Sequence, residues 1–226
     1  MNSLLTIALA FSLQQPCVCP QSIGADAGAP PLAFVPGSAS YPGIVACGYL
    51  DGRKNNLTRA SEFEVFSCKN TDPLLTFDAL QTALIQSVGD HLIITEITRA
   101  PFGKNWQWID VPVWRYVVTR SHTPQISKVL VLTPPSLTEA LISEALALYQ
   151  RALTLSTESK DYGDTIDEVA GRLTAAALSG NAKAQAALWH VEKMPFEAGH
   201  CSEIWSGYVD LYQTYAKETG KVPLLK

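Results

Sequence analysis

Charge is missing from the start of this chain. From Met1 to Ala25 there is no charged side chain, and the first is Asp26. The chain also lacks any apolar run long enough to span a bilayer. The longest near the start, Leu4 to Leu13 ("LLTIALAFSL"), has the length of a signal-peptide hydrophobic region and not of a membrane helix. Basic excess is absent as well: the net charge is −4 and no Lys/Arg stripe occurs. Nucleic-acid affinity comes largely from neutralising phosphates, so such partners are excluded from the expectation. There is no Gly-rich phosphate loop, no G-x-S-x-G and no C-x-x-C or H-E-x-x-H spacing. No cofactor and no metal are expected, and any catalytic set would have to be assembled in space.

What is present begins with a leader. Residues 1–27 read as a signal peptide, with Ala25 and Ala27 at A-x-A spacing and cleavage expected after Ala27 or Ala25. Cys17 and Cys19 lack the small residues that a lipidation signal places before its cysteine. The expectation is therefore a periplasmic or secreted protein without a permanent membrane anchor. Removing the leader leaves Cys47, Cys68 and Cys201, an odd number. Cys47 and Cys68 flank a turn-rich stretch on strand-like runs, which predicts a Cys47–Cys68 bridge that stabilises by about 3 kcal/mol.

Two compositions follow one another. Residues 28–133 read as β-rich: after an extended Pro/Gly segment come "GIVACGYL", "EFEVFSC", the ambiguous "TFDALQTALIQSV", a Gly89-Asp90 turn, "HLIITEITRA", "NWQWIDVPVWRYVVTR" and "ISKVLVLTP". Pro112 removes a ladder donor and predicts an edge or a bulge there. Residues 134–226 read as helical. Ser136 with Glu139 and Thr165 with Glu168 have capping-box spacing, Asn181 caps a third helix, and Ser202 opens a fourth that Gly220 stops. The first helix spans about twenty residues on this pattern. The expected class is α+β: a mostly antiparallel sheet, then a bundle of about four helices.

"ALSGNAKAQAALW", Ala177 to Trp189, resembles the helix–turn–helix core of a Sel1-type repeat, a relative of the tetratricopeptide family. The resemblance implies a helical hairpin packed through alanines, and in a full repeat array a protein-binding solenoid. It covers about a dozen residues, and no period recurs along the chain.

The candidate ligand-binding residues are Trp106, Trp108, Trp114 and Tyr116. Their even spacing predicts one shared strand face, suited to stacking on a glycan or a partner peptide, or else to the core beneath the helices. Asp90 stands beside His91 at a turn into a strand, where adjacent residues are expected to point to opposite faces and not to act together. Glu192, Glu197, His200 and Cys201 form the nearest approach to a metal cluster, without ligand spacing. Glu62 and Glu64 read as solvated carboxylates, and Asn56-Leu57-Thr58 is a glycosylation sequon. The expected function is non-enzymatic binding of a protein or envelope component, and the alternative is an envelope hydrolase with a site built from sheet and loops.

Overall fold

The structure, a computed structural model, describes residues 17–155, 162–190 and 200–226. Seven strands come first: β1 (Ala33–Val35), β2 (Ile44–Lys54), β3 (Leu57–Ser67), β4 (Pro73–Val88), β5 (His91–Ala100), β6 (Ile109–Thr119) and β7 (Gln125–Leu130). Helices α1 (Glu139–Ala152), α2 (Tyr162–Leu178), α3 (Ala182–Trp189) and α4 (His200–Thr219) follow. The strands lie in one sheet in sequence order, and the first five pair antiparallel with their neighbours. Short turns between adjacent strands produce that order. Asn55, at φ 56°, turns β2 into β3, and Gly89, at φ 61°, turns β4 into β5, where Val88 faces His91. The class is α+β, as the segregation of strands and helices implies.

The chain divides into two compact units, residues 1–97 with 114–129 and residues 98–113 with 130–226. In the first, Ile44, Ala46, Phe63, Val65, Phe77, Ile85, Leu92 and Ile94 share one buried face of the sheet. Phe63 and Phe77 stack with ring centres 4.4 Å apart. The opposite face of the β2–β3 pair carries Val45, Cys47 and Phe66, which would meet water on an uncovered sheet. Cys19 covers them. Residues on both faces are thus buried, which is why "IVAC" reads as a continuous apolar run.

The cover is covalent, and it corrects the expected bridge. Cys17 is bonded to Cys68 and Cys19 to Cys47. The ladder register explains why Cys47 and Cys68 do not bond to each other. Cys47 lies opposite Glu64 in β3, and Cys68 donates its backbone N–H to Gly43. The two cysteines therefore share a face but stand four residues apart along the strands, about 13 Å at strand rise. A disulfide needs Cα atoms within about 7 Å.

Gly48 sits where β2 and β3 lose register, opposite Phe63, with Glu62 at φ 52° as the extra residue of the bulge. A Cβ on Gly48 would stand 2.4 Å from the Phe63 Cβ. Gly48→Ala is expected to cost on the order of 2 kcal/mol by forcing the strands apart, and urea unfolding measures it. A midpoint unchanged from wild type would show that the bulge yields freely.

In the second unit α1 begins later than the capping box suggests. Thr138 is the N-cap, its hydroxyl accepting from the Leu141 N–H at 3.4 Å, and the helix has 14 residues. Helix α2 already runs at Tyr162, so Thr165 lies inside it. It is the central helix, packed on α1, α3 and α4, and accordingly buries Ile166, Val169, Leu173 and the run Ala175–Leu178. Asn181 caps α3 through the Ala184 N–H at 2.9 Å. The stretch that resembles a Sel1 repeat core is the α2–α3 hairpin turned at Gly180. Helix α4 buries Trp205, Tyr212 and Tyr215, and Gly220 at φ 62° ends it. No described helix is long and apolar enough to cross a membrane.

Candidate functional site

The four rings predicted to share a face do not form one surface. Trp106 closes a single turn of 3-10 helix, Lys104–Trp106, in which Asn105 (φ 56°) and Trp106 (φ 61°) both take left-handed backbone. Two such residues in succession break the strand alternation on which the expectation rested. The turn is held by Gly103, whose N–H donates to the Gln107 carbonyl at 2.9 Å. As a result Trp106 is 5% exposed and lies in the helical core, while Trp108 is 37% exposed. Trp114 and Tyr116 belong to the other unit, and Lys128 caps them, its Nζ 4.0 Å from the Trp114 ring centre and 5.2 Å from that of Tyr116. The Tyr116 hydroxyl donates to Glu96 at 3.0 Å. Burial and that carboxylate push the phenol well above its ordinary range.

Pro112 lies within β6, a strand with neighbours on both sides in the strand order. Before it, Val111 is buried. Beyond it the inward set changes parity, from Val111 and Val113 to Trp114, Tyr116 and Val118.

Trp108 opens on a feature of the helical unit that combines shape with negative charge. A cleft of about 500 Å³ is lined by Trp108, Arg99, Asp164, Asp167 and Glu168. Residues 164, 167 and 168 occupy one face of the first turns of α2, because positions three and four apart align on a helix. Three carboxylates stand against one lining guanidinium. Behind them is a polar brace. Glu144 of α1 accepts from the Trp106 indole N–H at 2.8 Å and pairs with Arg172 at 3.4 Å. Arg172 also pairs with Glu168 one turn away, and its guanidinium carbon lies 5.3 Å from the Trp106 ring centre. Asp167 bonds the Tyr208 hydroxyl of α4. Burial first, and the Asp167 charge second, hold Tyr208 far above the usual phenol range.

Gly171 lets α2 approach the segment that carries Arg99 and Trp108. A Cβ there would stand 2.5 Å from the Pro101 Cδ. Gly171→Ala is expected to cost roughly 1–3 kcal/mol and to loosen the cleft, read as a lower thermal midpoint together with weaker ligand binding.

The buried tyrosines also set an alkaline limit. Tyr212, whose hydroxyl donates to the Pro223 carbonyl at 2.9 Å, is pushed up to about 12 by burial. Its folded value lies above the unfolded one, so the contribution to stability is complete below pH about 10 and is lost as pH rises towards 12. Tyrosinate absorbance and loss of helical signal should therefore appear together above pH 10. In Tyr208→Phe the alkaline loss should be shallower.

Other sequence candidates resolve individually. Asp90 and His91 do meet, contrary to expectation: His91 Nε2 lies 3.0 Å from an Asp90 oxygen, and Nδ1 lies 3.1 Å from the Thr119 hydroxyl. Their position at the tight turn, rather than in the straight strand, brings them together. The side chains are 41% and 50% exposed, so the trio is a wetted clasp between strands and lacks the water-excluded setting of a nucleophile. Glu64 accepts from the Ile23 N–H at 3.1 Å and the Thr76 hydroxyl at 3.2 Å, a structural use of a carboxylate read as merely solvated. Glu192 and Glu197 lie outside the described residues, and of His200 and Cys201 only the helical backbone is described. Among the described residues no group of three His, Cys, Asp or Glu is placed to hold a metal.

No protein-family model matches the chain, and neither a curated protein nor a solved structure matches it at a significant level.

Proposed function

We infer that this is an exported, non-enzymatic binding protein of the periplasm, cell envelope or secreted space, and that its cleft takes a cationic group of a protein or envelope partner. The observation that carries the reading is the exposed indole of Trp108 beside three carboxylates in one open cleft. An indole face and acidic neighbours both favour ammonium or guanidinium groups, at about 0.5–1 kcal/mol for an exposed ring and more when water is displaced. Two disulfides support export, because cytosolic thiols are kept reduced.

An oligo-arginine peptide tests it through tryptophan fluorescence, with oligo-glutamate as the control. The arginine peptide should quench emission and bind more weakly as salt is raised. Asp164→Lys should reduce its affinity by about tenfold, since 1.4 kcal/mol is one decade. Equal binding of oligo-glutamate, or an Asp164→Lys affinity equal to wild type, would sink the reading.

A further inference from the structure

We propose that the cleft beside Trp108 takes the end of a peptide chain whose last residue is arginine, with the ligand guanidinium on the indole and Asp164 and its free α-carboxylate on Arg99. The inference rests on the cationic-group reading above and names the ligand of that site. The charges that line the cleft are not equally free to meet a ligand. Glu168 is committed to Arg172, and Asp167 to the Tyr208 hydroxyl. Asp164 and Arg99 are left. Both are exposed, and among the described residues neither side chain enters a hydrogen bond or an ion pair. The lining that counts as three carboxylates against one guanidinium therefore offers one uncommitted charge of each sign beside an open indole.

A purely cationic ligand would set a like charge against Arg99, which costs affinity. A ligand that carries both signs meets both groups. Arg99 and Asp164 line the same cleft without pairing with each other, so the two charges are held apart with room for a ligand between them. At about 500 Å³ the cleft has the size of a small-molecule site, which suits one terminal residue and not a folded segment. Arginine fits the cationic half better than other cations do. Its planar fork stacks on an aromatic face and donates two parallel hydrogen bonds to a carboxylate, whereas lysine pairs as a point charge. A quaternary ammonium has no N–H to donate to Asp164 and is held by cages of several rings, while Trp108 is the one aromatic residue of this lining. The same fork geometry, supplied this time by Arg99, suits the α-carboxylate of the ligand. An arginine inside a chain has no such carboxylate, so the second contact selects a chain end.

The test is calorimetric titration of the full oxidised chain with an acetylated tripeptide ending in arginine, supplied either as the free acid or as the C-terminal amide. The acid should bind about tenfold more tightly, the size of one charge-assisted pair, although the amide carries the larger positive charge. Arg99→Gln should bind the two forms alike. Its thermal midpoint should match wild type because the position is exposed, so that a lost preference reports the carboxylate's partner and not the fold. Asp164→Asn should weaken both forms. Equal affinity of wild type for acid and amide, or a preference for the acid that survives Arg99→Gln, overturns the inference and leaves the cationic-group reading standing. Free arginine that binds as tightly as the tripeptide acid overturns the assignment to a chain end. Failure of both tripeptides where oligo-arginine still binds overturns the inference alone, and failure of all three takes the cationic-group reading with it.

Discussion

Replacing Cys17 and Cys19 together by serine is expected to cost more stability than any other change to the sheet unit. The two bridges close 51 and 28 residues of chain. Loop-closure entropy alone gives about 4 and 3.5 kcal/mol when each is taken singly. The shorter loop is nested inside the longer one and reduces the outer loop to about 23 residues, so the joint loss is somewhat smaller than the sum, roughly 7 kcal/mol on the same basis. To this is added the packing of Cys19 against Val45 and Phe66, which the bridges hold in place. That total is comparable with the whole stability of an ordinary domain. Denaturant unfolding of oxidised wild type, reduced wild type and the double variant measures it. The variant should match the reduced protein and fall far below the oxidised one. A variant as stable as oxidised wild type would mean that the N-terminal segment does not brace the sheet.

The second large effect separates two tryptophans two residues apart. Trp106→Ala should lower the stability of the helical unit by about 3–5 kcal/mol, the usual cost of emptying a buried aromatic site. It also strips Glu144 of its indole donor and Arg172 of the ring beneath its guanidinium. Trp108→Ala should change stability by no more than about 0.5 kcal/mol, as surface substitutions do. It should nevertheless weaken the arginine peptide at least tenfold, because exposed aromatic anchors concentrate binding energy. Thermal midpoints and peptide titrations on both variants decide the matter. If Trp108→Ala unfolded the protein and Trp106→Ala did not, the placement of the two rings would be reversed and the cleft would lose its aromatic wall.

The sheet was legible where local signals agree. Period-2 patterning and β-branched residues mark β5 at the residues where the sequence places it, and Gly89-Asp90 marks its turn. "TFDALQTALIQSV" was ambiguous because alanine, leucine and glutamine favour helix, yet it forms most of β4. Ladders to β3 on one side and, along its second half, to β5 on the other override that propensity. Strand β1 was hidden for the opposite reason. Three residues between prolines carry no pattern, and only pairing of Ala33–Val35 with β2 makes them a strand. In the helical half, the stripe of α4 and the Asn181 cap were readable, since both depend on neighbours within a turn.

The candidate site divides in the same way. Trp108 could be named from composition, but its carboxylate partners could not. They lie some sixty residues away on α2, and nothing local to either stretch ties the two together. The separation of Trp106 from Trp108 rests on two left-handed residues that no hydrophobic period encodes.

By itself, then, the sequence determined the order of strands and helices, the charge-free leader-like start, the absence of a basic face and the presence of exposed-capable indoles, because each follows from neighbours a few residues apart. Which cysteines bond, which tryptophan faces water and which carboxylates meet it were decided only by tertiary structure. Those outcomes depend on ladder register and helix packing, which bring together residues whose separation along the chain carries no information about their distance in space.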